Sequence, residues 1–123
     1  MKNSGFTWRN RMRSFKYAFR GIWLLVSKEH NAWIHCFIAI CVIAAGFLFG
    51  LDRLEWIAIV FAIGMVLAAE AVNTAIEYLC DFVSPEYREA IKHTKDLAAG
   101  AVLILAMASM VIGALIFFPK IFS

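Results

Sequence analysis

Apolar positions follow two rhythms along this chain. From Phe6 to Val26 they recur at spacings of three and four, as Trp8, Met12, Phe15, Phe19, Ile22 and Val26. Arg9, Arg13, Lys16 and Arg20 keep the same rhythm one residue along and flank that stripe. The pattern predicts an amphipathic helix over 6–28. A basic, aromatic-rich helix of this kind suits the membrane interface, and it suits packing against neighbouring helices as well. Further on, nearly every position is apolar. Three runs, 33–51, 56–82 and 98–118, predict membrane-spanning helices, because about 20 residues cross a hydrocarbon core of about 30 Å. The first run holds one polar side chain, His35, near its start. The second is uncharged from Trp56 to Ala69 and stays helix-compatible through Glu70 to Val83. The third carries no charge, and Pro119 is expected to stop it.

The connections are short. Asp52-Arg53-Leu54-Glu55 reads as a loop between the first two spans. Ser84-Pro85-Glu86 reads as a helix start, with Ser84 as the cap, Pro85 in the first turn and Glu86 at the positive end. Residues 1–5 read as a disordered tip. No internal repeat or low-complexity tract is visible.

Composition sharpens the membrane reading. Hydrophobic residues make up 63% of the chain and charged residues 17%, against about 45–50% and about 25% in soluble domains. A chain of 123 residues with this composition cannot bury its apolar surface in one water-facing globule. The expected fold is therefore an all-α integral membrane protein, with a surface helix and three transmembrane helices in a single domain, 1–123. Seven of the twelve Lys and Arg residues precede residue 29. Arg88, Lys92 and Lys95 follow the second span, whereas the 52–55 loop carries only Arg53. Positive-inside logic places the N-terminus and the 84–96 connection in the cytoplasm, with the 52–55 loop and the C-terminus outside. Cys36, Cys41 and Cys80 lack CxxC spacing and read as apolar packing rather than a disulfide or zinc site. The first 28 residues are too charged for a cleavable signal peptide. The basic stripe is short and beside a span, which argues against a nucleic-acid partner.

Candidate chemistry sits at the end of the second span. Taking Glu70 as zero, Asn73, Glu77 and Asp81 fall at about 300°, 340° and 20° around a helix of about 100° per residue. Four polar side chains thus share one stripe over three turns. Glu70 follows fourteen uncharged residues, so it is expected at or below the headgroups. An ionisable residue costs about 2.5 kcal/mol or more at the bilayer centre and less near its edge. Repeating that cost on one stripe points to use. Glu29 at the mouth of the first span and Lys95-Asp96 at the mouth of the third bring further charge to the same face. Two converging carboxylates such as Glu29 and Glu77 suit Mg²⁺ shared with phosphate oxygens. A Lys can neutralise those oxygens, and a carboxylate below the headgroups can take a proton from an alcohol. The pattern therefore points to an ATP-like ligand in the cytoplasm and an acceptor reached from the lipid. GxxxxGK[ST], GxGxxG, HRD and DFG motifs are all absent, so such a site is unlike that of soluble kinases. Two other readings fit the stripe: a small non-enzymatic subunit with a proton or ion relay, and a polar bundle interface.

The block Glu70-Ala-Val-Asn73-Thr-Ala-Ile-Glu77, then Asp81, then Lys95-Asp96-Leu-Ala-Ala-Gly, resembles the prokaryotic diacylglycerol kinase family, which includes undecaprenol kinases. The resemblance covers nearly the whole chain. It implies a homotrimer in the cell (inner) membrane, with active sites between subunits facing the cytoplasm. It also implies ATP- and Mg²⁺-dependent phosphorylation of a lipid alcohol, either diacylglycerol to phosphatidic acid or undecaprenol to undecaprenyl phosphate. By that resemblance Glu70 is the general base and touches the lipid, and Asn73 supports it. Glu29 and Glu77 hold Mg²⁺ with ATP, and Lys95 and Asp96 contact the nucleotide. Glu86, Tyr87 and Arg88 occupy nucleotide-loop positions, and Tyr17 matches an N-terminal nucleotide contact. Arg9 or Asn10 stands where the family has a basic residue near lipid and nucleotide. The diacylglycerol branch resembles E-A-A-F-R-Q-E at the first span. Glu29-His-Asn31-Ala-Trp-Ile34-His35 is closer to the E-x-N-x-x-I-H form of the undecaprenol branch.

Overall fold

The computed structural model describes residues 6–123. The expected disordered tip, residues 1–5, lies outside the described residues. Four helices follow one another: α1 (Trp8–Lys28), α2 (His30–Phe49), α3 (Arg53–Val83) and α4 (Glu89–Ile121). The described residues contain no strand. The last three helices are long and apolar enough to cross a membrane.

α1 begins at Thr7, whose side chain accepts from the Asn10 N–H at 3.0 Å. A single extended residue, Glu29, separates it from α2. The elbow is pinned by Trp33, whose indole Nε1–H donates to the Val26 carbonyl at 2.6 Å. That carbonyl belongs to the last turn of α1, where backbone acceptors have no partner within the helix. The Trp33 ring also meets His30 edge-on, centroids 4.6 Å apart. Sequence-adjacent aromatic and backbone groups thus hold Glu29 at a defined corner.

At the opposite end, α2 closes on Gly50 in the left-handed region (φ 69°), with the N–H groups of Gly50 and Leu51 both on the Gly46 carbonyl. The expected 52–55 loop is shorter than its polar residues suggest. Asp52 and Glu55 form a reciprocal capping box, so Arg53 already lies in α3. Glu55 also meets Lys120 at 3.1 Å, which fastens the start of α3 to the end of α4. Beside this pair, Leu51, Ile59 and Ile116 form the core, with Trp56 and Phe117 against it.

α3 and α4 pack as a long antiparallel hairpin, α2 lies along α3, and α1 contacts the second half of α3. Two expectations about α4 are corrected. Ser84-Pro85-Glu86 does not open it. Ser84 is the C-cap of α3, its N–H bonded to the Cys80 carbonyl and its hydroxyl donating to the Glu86 carbonyl at 3.1 Å. With those groups engaged, α4 starts at Glu89. Pro119 does not stop it either, since the helix runs to Ile121. So close to the end, the missing proline N–H removes only one backbone bond. Apolar side chains such as Phe37, Phe47, Phe61, Leu103 and Leu115 are exposed on α2, α3 and α4, as expected of helices facing lipid or other copies of the chain.

Candidate functional site

One stripe of α3 is buried from end to end: Ile59, Ala62, Val66, Glu70, Asn73 and Cys80. It is apolar up to Val66 and turns polar at Glu70 and Asn73. The change of chemistry falls where α3 passes the first turns of α2. Small residues on α2, Ala32 and Ala39, are themselves buried and allow close approach.

Glu70 is 3% exposed, the most buried charged residue described. Its Oε2 lies 3.0 Å from Nε2 of His35 on α2. Asn73, one turn on, is also buried. Its Oδ1 and the Ser27 hydroxyl, in the last turn of α1, are the buried side-chain polar atoms that lack a hydrogen-bond partner among the described residues. Such atoms generally mark a site that something else completes.

Further toward the α3 C-terminus the stripe emerges. Glu77 is half-buried and Asp81 exposed. Asp81 takes an ion pair from Lys95 of α4 at 2.7 Å. The hydrogen bond that Lys95 donates to Asp81 raises the pKa of its ammonium above the ordinary lysine value, and the negative charge of Glu77 adds to it. Lys95 and Asp96 are neighbours in sequence but turn to different partners. Asp96 is bound by Lys92 at 2.6 Å, one turn earlier, and that hydrogen bond pulls its carboxyl below the usual range. All these groups precede the apolar run of α4.

Of the remaining site candidates, Tyr87 lies near enough to Lys92 to act on its charge, and among the described residues none forms an ion pair with these groups. Glu29 is half-buried at the elbow and is the N-cap of α2, yet among the described residues its side chain makes no capping hydrogen bond. Glu86, Tyr87 and Arg88 are exposed in the loop between α3 and α4. Tyr17 and Arg9 are exposed on α1. Among the described residues no three His, Cys, Asp or Glu side chains converge as a metal cluster. Carboxylates such as those of Glu29 and Glu77 are of the donor type Mg²⁺ takes, one or two at a time, alongside phosphate oxygens and water rather than in an all-protein cage.

Sequence reasoning noted His35 but gave it no role. The available signal was a polar residue inside an apolar run on one helix, at the level of a polar residue inside an apolar run on another. A shallow groove of about 280 Å³ leads from His35 between α2, α3 and α4, lined by Ile38, Ala39, Val66, Leu67 and Met110 among others. The arrangement therefore sets a buried carboxylate beside an imidazole that lines an apolar groove, with cations and further carboxylates toward the C-terminal end of α3 and the start of α4.

Residues 16–117 match the prokaryotic diacylglycerol kinase family. An undecaprenol kinase of Bacillus subtilis (strain 168) is 41% identical over 109 residues, which cover 89% of each chain. A diacylglycerol kinase of Synechocystis sp. is 34% identical over 115 residues, 93% of this chain and 66% of that one. A diacylglycerol kinase of Haemophilus influenzae is 30% identical over 119 residues, 95% of this chain and 98% of that one.

Proposed function

The chain belongs to the prokaryotic diacylglycerol kinase family, a family of lipid kinases, and from that premise we propose that it transfers the γ-phosphate of ATP to the hydroxyl of undecaprenol. The observation that carries this is Glu70, a carboxylate almost without water contact that lies 3.0 Å from His35, a residue of the wall of an apolar groove. Fourteen uncharged residues from Trp56 to Ala69 rise about 21 Å, so Glu70 stands inside a hydrocarbon core of about 30 Å, where the hydroxyl of a lipid can meet it. Undecaprenol is preferred over diacylglycerol on two grounds. The Glu29–His35 segment has the E-x-N-x-x-I-H form, and the Bacillus subtilis undecaprenol kinase shares more identity than the diacylglycerol kinases.

In this reading Glu70 takes the hydroxyl proton as the lipid oxygen attacks the γ-phosphorus. The bond from that phosphorus to the bridging oxygen breaks, and ADP leaves with the electron pair. Lys95 moves from Asp81 to the phosphates and offsets their charge. Asn73, one turn on from Glu70, supports the site of proton transfer. Glu29 and Glu77 would hold Mg²⁺ together with ATP. The ion, when bound, draws charge from the phosphate oxygens. Asp96, the loop residues Glu86, Tyr87 and Arg88, and Tyr17 line the nucleotide, and Arg9 meets the lipid headgroup region. α1 lies on the cytoplasmic surface of the cell membrane, and three copies assemble with their apolar faces together.

A proton relay is not favoured. Below Glu70 the buried stripe continues as Val66, Ala62 and Ile59, which offers a proton no stepping stone. The test is purified protein in mixed micelles with labelled ATP and Mg²⁺, given undecaprenol and diacylglycerol side by side. Transfer to undecaprenol at the higher kcat/KM is expected. Preference for diacylglycerol would reverse the substrate assignment, and no transfer to either lipid alcohol would overturn the kinase reading.

A further inference from the structure

We propose that His35 is a positioning residue for Glu70, holding one carboxylate oxygen so that the other faces the acceptor hydroxyl. The proposal rests on Glu70 being the proton acceptor and goes beyond it to a residue on a different helix.

The geometry is specific. Nε2 of His35 lies 3.0 Å from Oε2 of Glu70, and the Glu70 side chain is 4% exposed. At that distance Nε2 is within hydrogen-bond reach of Oε2, and because an ionised carboxylate only accepts, the proposed bond requires the hydrogen on Nε2. Among the described residues no other side chain bonds Glu70. A glutamate has three side-chain torsions. With Oε2 tied to α2, the plane of its carboxylate is set and Oε1 remains for the lipid. The bond also survives the chemical step. When Oε1 gains the hydroxyl proton, Oε2 is still an acceptor for the same N–H. Little rearrangement is then needed at the moment of reaction, which is the physical content of a preorganised site.

The pair is asymmetric in the way this role requires. Glu70 is enclosed, whereas His35 is 23% exposed and lines the apolar groove. The imidazole therefore forms part of the wall along which a hydrocarbon chain enters, directly beside the base. A tie whose sole purpose was to bind α2 to α3 would have no need of that position.

Three variants separate positioning from packing: His35→Leu, which removes the donor; His35→Gln, which keeps one; and Glu70→Gln as the reference without a base. His35→Leu is expected to lower kcat about 10- to 100-fold with the KM for ATP nearly unchanged, and His35→Gln to recover most of that loss. Infrared difference spectra against Glu70→Gln identify the Glu70 carboxylate band without any turnover. That band is expected to shift in His35→Leu and to return toward its wild-type position in His35→Gln. Unchanged kcat with an unshifted band in His35→Leu overturns the proposal. So does a kcat loss that His35→Gln does not relieve and that comes without a band shift. If the wild-type protein phosphorylates no lipid but the band still shifts, the kinase reading fails while the His35–Glu70 bond stands.

Discussion

Lys95 Nζ sits 2.7 Å from Asp81 Oδ1, so the second turn of α4 is tied to the last turn of α3 across the loop between them. Both groups are accessible, and an accessible pair of this kind contributes little stability. It can therefore be exchanged readily for phosphate oxygens. Lys95→Ala is expected to raise the KM for ATP about tenfold or more, while Asp81→Asn changes it far less. Steady-state kinetics at saturating lipid give both values.

The same pair predicts a pH response. Its folded-state pKa is raised, so the Lys95 cation is fully present below the ordinary lysine range and is lost only as pH rises through the raised value. The ratio of KM for ATP between Lys95→Ala and the wild type is thus expected to stay constant from about pH 7 to about pH 9. A ratio that collapses inside this window would place the titrating contact elsewhere.

Glu70→Gln keeps the shape of the side chain and removes its ability to take a proton. Turnover is expected to fall about 10²- to 10⁴-fold, with ATP binding retained in equilibrium dialysis. The nucleotide groups proposed here, Glu29, Glu77 and Lys95, are untouched by the change.

Asn73 has a buried carbonyl oxygen with no partner among the described residues. An unsatisfied buried acceptor costs about 1–3 kcal/mol. Asn73→Leu is therefore expected to raise the thermal unfolding midpoint in detergent and to lower turnover at the same time. A residue kept only for packing would show no such opposition.

Gly46→Ala tests the scaffold away from the site. A Cβ there would stand 2.7 Å from Trp56 Cη2 and 3.0 Å from Leu51 Cδ1. The indole is rigid and sits against the core beside Leu51 and Ile59. A loss of about 1–3 kcal/mol in unfolding free energy is expected, with kcat and KM preserved in the protein that remains folded.

The polar stripe was legible because helical periodicity is local. Glu70, Asn73, Glu77 and Asp81 are placed on one face by spacing alone, and Glu70 and Asn73 are indeed buried. Chain ends were less legible. Ser84, Pro85 and Glu86 have the residue types of a helix start, yet the serine closes the preceding helix instead. The residue types are the same for either use. Which one is realised depends on whether the Cys80 carbonyl is there to receive the Ser84 N–H. Pro119 was misread for a related reason, since a proline one turn from a helix end has little left to disrupt.

Composition and periodicity by themselves determined that this chain is helical, has three spans suited to a membrane and carries most of its ionisable groups toward one end. Each follows from short-range facts: an apolar run long enough to cross, or a polar residue every third or fourth position. The tertiary structure decided the pairings. Lys95 reaches Asp81 rather than its neighbour Asp96, Lys120 reaches Glu55, and His35 reaches Glu70. These contacts join helices whose relative depth and rotation depend on packing, set here by small residues such as Ala32, Ala39 and Gly46. Sequence spacing encodes the face a residue occupies but not the helix that comes to lie against that face.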